Sequence, residues 1–195
     1  MFSDFLKRAF DICLSIFGLI FFSPLFLIFT LLIKHESPGC PFFTQQRIGR
    51  KGKPFTLYKF RSMVNDAEKD GIPALCSDKD ERLTKVGAFL RRHHLDELPQ
   101  LWNVLVGDMS FVGYRPEREY FIKKIMEIRP DYERLYEMRP GVFSKATLYN
   151  GYTDTMEKMI RRLDMDLEYL ENRSLWYDIK IIFLTFMSIV TGKEF

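Results

Sequence analysis

The chain of 195 residues is organised around residues 91–116, which read RRHHLDELPQLWNVLVGDMSFVGYRP. Four apolar side chains in this stretch follow the i, i+3, i+4, i+7 spacing of one helical face: Leu98, Leu101, Trp102 and Leu105. Pro99 falls in the first turn of the predicted helix, where its missing N–H costs nothing. Gly107 stands just after the last apolar residue, as is typical of a helix end. The pattern therefore predicts a short helix that begins near Leu98.

Charged side chains cluster around the start of this predicted helix. Asp96 and Glu97 are adjacent carboxylates just before it, Arg91 precedes them, and Arg115 follows the helix. An Asp in this place is often only a helix cap. However, helix N-termini attract anions, and guanidinium groups bind phosphate with paired hydrogen bonds. The density of acids and arginines therefore favours a site that combines an acid, a metal ligand and phosphate-binding groups.

The length and composition limit the class of protein. A chain of this size suits one domain with a real core. Its net charge of +3 gives no reason to expect a nucleic-acid partner. The three cysteines, Cys13, Cys40 and Cys76, match neither a disulfide framework nor a zinc site, which indicates a reducing compartment. The mean hydropathy of −0.14 argues against a polytopic membrane protein.

One segment is nevertheless apolar enough for a membrane. Residues 12–33 are 22 positions without a charge, which is the length of a spanning helix. Ser23-Pro24 interrupts this segment in the middle, because proline removes a helical hydrogen bond and clashes with the preceding turn. Each half is then about 16 Å long, against a hydrocarbon core of about 30 Å. A kinked spanning helix and a re-entrant helix–break–helix both satisfy this pattern.

Basic residues stand on both sides of the apolar segment, with Lys7 and Arg8 before it and Lys34 after it. Because chain segments rich in Lys and Arg stay on the cytoplasmic side, this distribution draws both ends to the cytoplasm. The residues alone still leave the spanning and re-entrant structures open.

Two short strands are predicted next, at Pro41–Gln46 and Pro54–Phe60, and the basic residues 47–53 join them as a hairpin. The basic turn fits either a solvated loop or contact with anionic lipid headgroups. Lys59 and Arg61 at the end of the second strand are candidates to face phosphates, although strand edges also carry cations for other reasons.

The remaining segments give weaker signals. Asn65–Glu81 is polar and predicts a loop, either a lid or a surface excursion. Helical spacing recurs at 83–90 and at 117–136, where Pro130 interrupts it. It appears again at 176–190, which is too short an apolar run to span and fits either an interfacial helix or a buried C-terminal helix.

Two motifs carry a resemblance to a known family. Residues 95–105 and 107–113, LDELPQLWNVL and GDMSFVG, resemble the signature of the bacterial sugar transferases, the monotopic phosphoglycosyl transferases that start glycan assembly on a polyprenyl phosphate. The resemblance implies an α+β fold: a re-entrant membrane helix over 1–36, broken at Ser23-Pro24, then a mostly helical catalytic domain over 37–195 with a small β-hairpin and interfacial amphipathic helices. It also implies a place at the cytoplasmic face of the bacterial inner membrane.

The resemblance further implies a reaction. A phosphosugar passes from a UDP-sugar to a membrane polyprenyl (undecaprenyl) phosphate, with UMP released. Asp96 is then the nucleophile that forms an aspartyl phosphosugar, and Glu97 is its partner in acid–base or metal work. The side chains expected to neutralise the phosphates are cationic: Arg91, Arg115, Lys59 and Arg61. Mg²⁺ is the expected cofactor, held by Asp96 and Glu97.

Some residues depart from the family pattern or suggest other functions. Residues 144–147, Tyr114 and Tyr152 differ from the usual residues, so contacts to the sugar and the nucleotide, and hence the sugar itself, stay undetermined. His93 and His94 replace small hydroxyl residues, and with the acids after them they fit a metal-dependent phosphoester hydrolase. A non-enzymatic module that binds anions at a membrane surface is a further alternative. The sequence also leaves open whether the chain forms a homo-oligomer.

Overall fold

The computed structural model describes residues 2–64, 81–150, 153 and 155–191. The predicted loop Asn65–Glu81 lies outside these residues except for Glu81, and Tyr152 lies outside them as well. The helices are α1 (Phe2–Phe21), α2 (Ser23–Glu36), α3 (Lys85–Arg92), α4 (Gln100–Val106), α5 (Glu119–Ile128), α6 (Lys145–Tyr149), α7 (Met156–Asn172) and α8 (Leu175–Thr191). The strands are β1 (Phe42–Ile48), β2 (Pro54–Phe60), β3 (Ser110–Val112) and β4 (Gly141–Phe143). Short 3₁₀ segments occur at Arg50–Gly52, Leu95–Glu97 and Pro130–Glu137.

The predicted break between the first two helices is confirmed. Pro24 lies in the first turn of α2, so the carbonyl of Ile20 loses the N–H that a continuous helix would supply. The hydroxyl of Ser23 donates to this carbonyl at 2.8 Å and so replaces the lost bond. Within the described residues, no single helix is both long and apolar enough to cross a bilayer; the pair α1 and α2, bent by 58°, meets the criterion together.

The N-terminal helix is joined to the rest of the fold by its charged residues. Arg8 donates to the carbonyl oxygens of Val104 and Leu105, at 2.7 and 2.8 Å, and so caps the C-terminus of α4. Lys7 pairs with Asp178 of α8 at 2.5 Å. The sequence assigned these two cations only to membrane orientation, whereas the structure also gives them docking contacts within the protein.

A buried acid of α1 adds a third contact. Asp11 is 2% exposed, and its Oδ1 accepts the Ser110 hydroxyl and the Phe111 N–H, each at 3.1 Å. Because Ser110 and Phe111 belong to β3, α1 is attached to the strand that follows the central sequence motif. Helix α1 therefore packs against the same core as the residues that follow the central motif.

The two small sheets differ in how well the sequence predicted them. β1 and β2 pair antiparallel, from Phe42 opposite Phe60 to Ile48 opposite Pro54, which confirms the predicted hairpin with a basic turn. β3 and β4 pair in parallel, and the sequence analysis predicted neither strand. Three-residue strands are too short to show an alternating pattern, so this pair could not be predicted.

The C-terminal helix has two faces. Ile181 and Asp178 are buried against the rest of the protein. On the other side, Trp176, Phe183 and Phe186 are exposed, the last two by about 60%. The apolar stripe found in the sequence is thus largely the outward face of α8, while a different set of residues anchors the helix.

Helix α3 packs so closely on the end of β2 that it has room only for glycine at one position. A Cβ added to Gly87 would lie 1.9 Å from the carbonyl oxygen of Ser62, which is backbone and cannot move aside cheaply. Gly→Ala in an exposed helix usually stabilises by about 1 kcal/mol. We expect Gly87→Ala instead to destabilise the protein by roughly 1–3 kcal/mol, as overpacking does, measured by thermal unfolding. Gly18→Ala is the control, since its Cβ would meet the flexible side chain of Leu101 at 3.1 Å; an equal loss in both variants would contradict the account.

Candidate active site

The two adjacent carboxylates lie in a 3₁₀ turn at Leu95–Glu97, just before α4. The predicted helix is confirmed from Gln100, with Gly107 ending it at a φ of 101°. Among the described residues, no side chain caps the N-terminus of α4, so Asp96 is not the helix cap that a purely structural interpretation of the sequence would make it. His94 begins the turn with a φ of 54°, a conformation that costs a non-glycine residue energy and is common at functional sites.

Glu97 is held between two cations. Its Oε1 lies 2.6 Å from Lys59 Nζ and 3.1 Å from Arg115 Nη2. Burial raises the pKa of a carboxyl group, but the charges of Lys59 and Arg115 outweigh burial here and hold the pKa of Glu97 well below its usual range. Glu97 is therefore ionised at neutral pH, where it forms ion pairs with both cations.

Asp96 has a different environment although it is the next residue. It is 4% exposed, and Lys59 Nζ lies 3.9 Å from its Oδ2. Burial raises its pKa above the ordinary value of 3.8, with Lys59 and the neighbouring Arg91 opposing that rise. Neighbouring carboxylates whose pKa values are pushed apart are typical of sites that divide chemical roles between them. Asp96 is thus buried and lies farther from Lys59 than Glu97 does.

A buried amide that the sequence analysis overlooked aligns β2 with the dyad. Asn103 is fully buried in α4; its Oδ1 accepts the Tyr58 N–H at 3.1 Å, and its Nδ2 donates to the Thr56 carbonyl at 2.7 Å. These bonds fix α4 against β2 and so place Lys59 opposite Glu97. The signal in the sequence was one polar residue beside an apolar helical face.

The candidate residues from the sequence separate into two groups. One group meets at the dyad: Lys59, Asp96, Glu97 and Arg115. Arg91, at the end of α3, lies near enough for its charge to lower the pKa of Asp96. Arg61 lies elsewhere.

Arg61 is buried, and its guanidinium group caps the end of α2. It donates to the carbonyl oxygens of Pro38 and Ser37, both at 2.7 Å, and to the Ser37 hydroxyl at 2.9 Å. The structure therefore gives Arg61 a structural function in holding the segment after α2.

The two histidines do not converge. His93 is exposed; its Nδ1 lies 2.9 Å from the carbonyl oxygen of Phe89, and its ring packs on the Phe89 ring. His94 is half-buried near the dyad, and burial lowers its pKa. In the part of the chain that the structure describes, no group of three or more His, Cys, Asp or Glu side chains is arranged to hold a metal ion. The histidines thus give the hydrolase alternative no geometric support.

Two carboxylates still fit one particular kind of metal site. Mg²⁺ is commonly bound through one or two carboxylates together with substrate phosphates and water, and not by a complete protein cage. Asp96 and Glu97 supply such a partial donor set, and the burial of Asp96 favours a cation beside it.

Comparison with known proteins finds a family whose model matches nearly the whole chain. The family model described as bacterial sugar transferase matches residues 2–192. The UDP-N-acetylgalactosamine-undecaprenyl-phosphate N-acetylgalactosaminephosphotransferase of Aeromonas hydrophila is 40% identical over 188 residues, covering 96% of this chain and 44% of the relative. The UDP-glucose:undecaprenyl-phosphate glucose-1-phosphate transferase of Escherichia coli is 44% identical over 182 residues, covering 92% and 39%.

A third relative is similar in length. The exopolysaccharide production protein PSS of Rhizobium leguminosarum bv. phaseoli is 43% identical over 197 residues, covering 97% of this chain and 98% of the relative. The chain thus spans about two-fifths of each of the first two relatives and nearly all of the third.

Proposed function

Because the chain belongs to the bacterial sugar transferase family, we propose that it transfers a sugar 1-phosphate from a UDP-sugar to a polyprenyl phosphate and releases UMP. The relatives named for this type of reaction support the proposal. The observation that carries it is the divergent pair of carboxylates: Glu97 bound to Lys59 and Arg115, and Asp96 buried beside them with weaker pairing.

The proposed reaction has two displacements. A carboxylate oxygen of Asp96 attacks the phosphorus that carries the sugar, the bond from that phosphorus to the UMP oxygen breaks, and UMP leaves. An oxygen of the lipid phosphate then attacks the same phosphorus, and the bond to Asp96 breaks. The products are a polyprenyl diphosphate sugar and the free carboxylate.

The cations of the site explain how one anion can attack another. Lys59 and Arg115, with Arg91 at the edge, lower the repulsion between the Asp96 carboxylate and the phosphates of the donor. Asp96 and Glu97 would hold Mg²⁺, which when bound supplies further neutralisation of the developing phosphate charge. Glu97 keeps the cations in place while Asp96 reacts.

The proposed location follows from the apolar surface. The bent pair α1 and α2 has the length and composition of a broken or re-entrant membrane segment. Exposed apolar residues of α8, among them Phe183 and Phe186, suit the membrane interface. We therefore place the protein at the cytoplasmic face of the bacterial inner membrane, where a lipid acceptor and a soluble donor meet, as the first membrane step of glycan assembly.

Nucleotide release tests this function. The purified protein is mixed with Mg²⁺ and each member of a panel of UDP-sugars that includes UDP-glucose and UDP-N-acetylgalactosamine, with and without polyprenyl phosphate. We expect about one UMP per protein without the lipid, as a covalent intermediate requires, and continuous UMP release with it. Release of UDP would contradict phosphosugar transfer, continuous release without lipid would indicate a hydrolase, and no release would favour a binding module.

A further inference from the structure

A buried group of charged side chains that the proposed chemistry does not use holds residues 115–117. Glu117 is 7% exposed, and its Oε1 accepts a hydrogen bond from Arg162 Nη2 at 2.5 Å. Its Oε2 accepts one from Arg47 Nη1 at 3.3 Å, and its carbonyl oxygen accepts the Ile48 N–H at 3.2 Å. Glu117 therefore joins β1 to α7, two elements far apart in sequence.

The backbone on the N-terminal side of Glu117 is held from the same two directions. Arg47 Nη1 also donates to the carbonyl oxygen of Pro116 at 3.0 Å. From α7, Arg162 pairs with the Glu117 carboxylate, and the buried Asp166 lies near Arg115, whose backbone N–H lowers the pKa of the Asp166 carboxyl group. The segment 115–117 is thus fixed by β1 on one side and by α7 on the other.

This arrangement is expensive for stability. Removing each charged group from water carries a large desolvation cost, and apolar replacements of such buried networks are often neutral or stabilising. Asp166 is 3% exposed, and its Oδ1 has no hydrogen-bond partner among the described residues. Burial raises the pKa of Asp166 to about 7. Costly groups of this kind, directly behind an active residue, call for a functional explanation.

We propose that Asp166 and Glu117 are positioning residues for Arg115: they fix its backbone so that its guanidinium group meets Glu97 and the donor phosphates. The inference rests on the proposed function. The guanidinium contact is the 3.1 Å pair between Arg115 Nη2 and Glu97 Oε1. A displacement of about 1 Å at a reacting group can cost about 100-fold in rate, so a fixed backbone matters even though neither positioning residue touches the substrate.

The first test compares two substitutions of Asp166. Asp166→Leu removes the buried carboxylate near the Arg115 backbone, and we expect kcat for UMP release to fall about 10- to 100-fold. Asp166→Asn keeps an oxygen acceptor of the same size, and we expect kcat within about 3-fold of the unchanged protein. Glu171→Ala, an exposed acid on the same helix, is the matched control and should leave kcat unchanged. A loss in Asp166→Asn as large as in Asp166→Leu would overturn the proposal.

The second test asks whether the effect passes through Arg115. In an Arg115→Ala background, Asp166→Leu should change kcat by less than about 3-fold, because the group it positions is already gone. Glu117→Gln, which preserves side-chain size, is tested in the same way and covers the case that Asp166→Leu does not fold. Equal losses with and without Arg115 would overturn the inference, whereas absence of UMP release by the unchanged protein would overturn the proposed function.

Discussion

Replacing Asp96 by Asn is expected to reduce phosphosugar transfer at least about 1,000-fold while raising the temperature of thermal unfolding. The loss follows because an amide cannot form the acyl phosphate. The gain follows from the raised pKa of Asp96, which burial causes. A carboxyl group with a raised pKa destabilises the folded protein progressively as the pH rises through that pKa, and the neutral amide removes this cost at neutral pH.

The neighbouring substitution should change stability in the opposite direction. Glu97→Gln removes one partner of a buried ion pair with Lys59 and Arg115, a change that costs about 3–5 kcal/mol when a charge is left uncompensated. Lys59 and Arg115 lower the pKa of Glu97 despite its burial. The ionised carboxylate therefore contributes fully to the free energy of unfolding above pH 4.5, the ordinary pKa of a Glu, and this contribution declines as the pH falls below that value. The stability difference between Glu97→Gln and the unchanged protein should therefore shrink under acid conditions.

Thermal unfolding of the three proteins between pH 3 and pH 8, alongside UMP release, measures both effects. Asn at position 96 and Gln at position 97 are matched changes, since each replaces one carboxylate oxygen by an amide nitrogen at nearly constant volume. If Asp96→Asn lowered stability as much as Glu97→Gln, the assignment of different environments to the two acids would be wrong. If Asp96→Asn kept its transfer activity, the covalent step would be wrong.

Local patterns in the sequence sufficed where one element determines the structure. The presence of α4, the end of that helix at Gly107 and the break at Pro24 are all consequences of spacing or of a single backbone constraint. The predicted apolar face of α4 was only partly right, because Leu101 is buried but Trp102 is 51% exposed. The contacts that assemble the site are different in kind. Asp166 lies 51 positions after Arg115, and its role depends on a tertiary contact that no local pattern records.

Lys59 and Arg61, at the end of β2, also show that a local sequence pattern does not determine which tertiary contacts a side chain makes. Residues two apart share a face while a strand continues, so the sequence treats both as candidates for phosphate contact. The strand ends at Phe60, however. The backbone N–H of Arg61 donates to the carbonyl oxygen of Pro41, the residue just before β1. Arg61 therefore turns toward the end of α2, while Lys59 faces the dyad.

Substituting Met for Lys59 should therefore mainly reduce activity, whereas substituting Met for Arg61 should mainly reduce stability. Lys59→Met keeps the length of the side chain but removes the charge beside Asp96 and Glu97, and we expect kcat/KM for the UDP-sugar to fall about 100-fold or more. Arg61→Met removes hydrogen bonds to Pro38 and Ser37. Bonds from charged groups contribute about 1.5–3 kcal/mol each.

We therefore expect Arg61→Met to lower the free energy of unfolding by about 2–4 kcal/mol, with kcat/KM of the folded protein within about 3-fold of the unchanged value. Thermal unfolding and steady-state UMP release, both corrected for the folded fraction, distinguish the two effects. A 100-fold loss of kcat/KM in Arg61→Met without loss of stability would mean that Arg61 binds phosphate after all. The contrast follows from the end of β2 at Phe60: Lys59, before that residue, contacts the dyad, whereas Arg61, after it, donates to carbonyl groups at the end of α2.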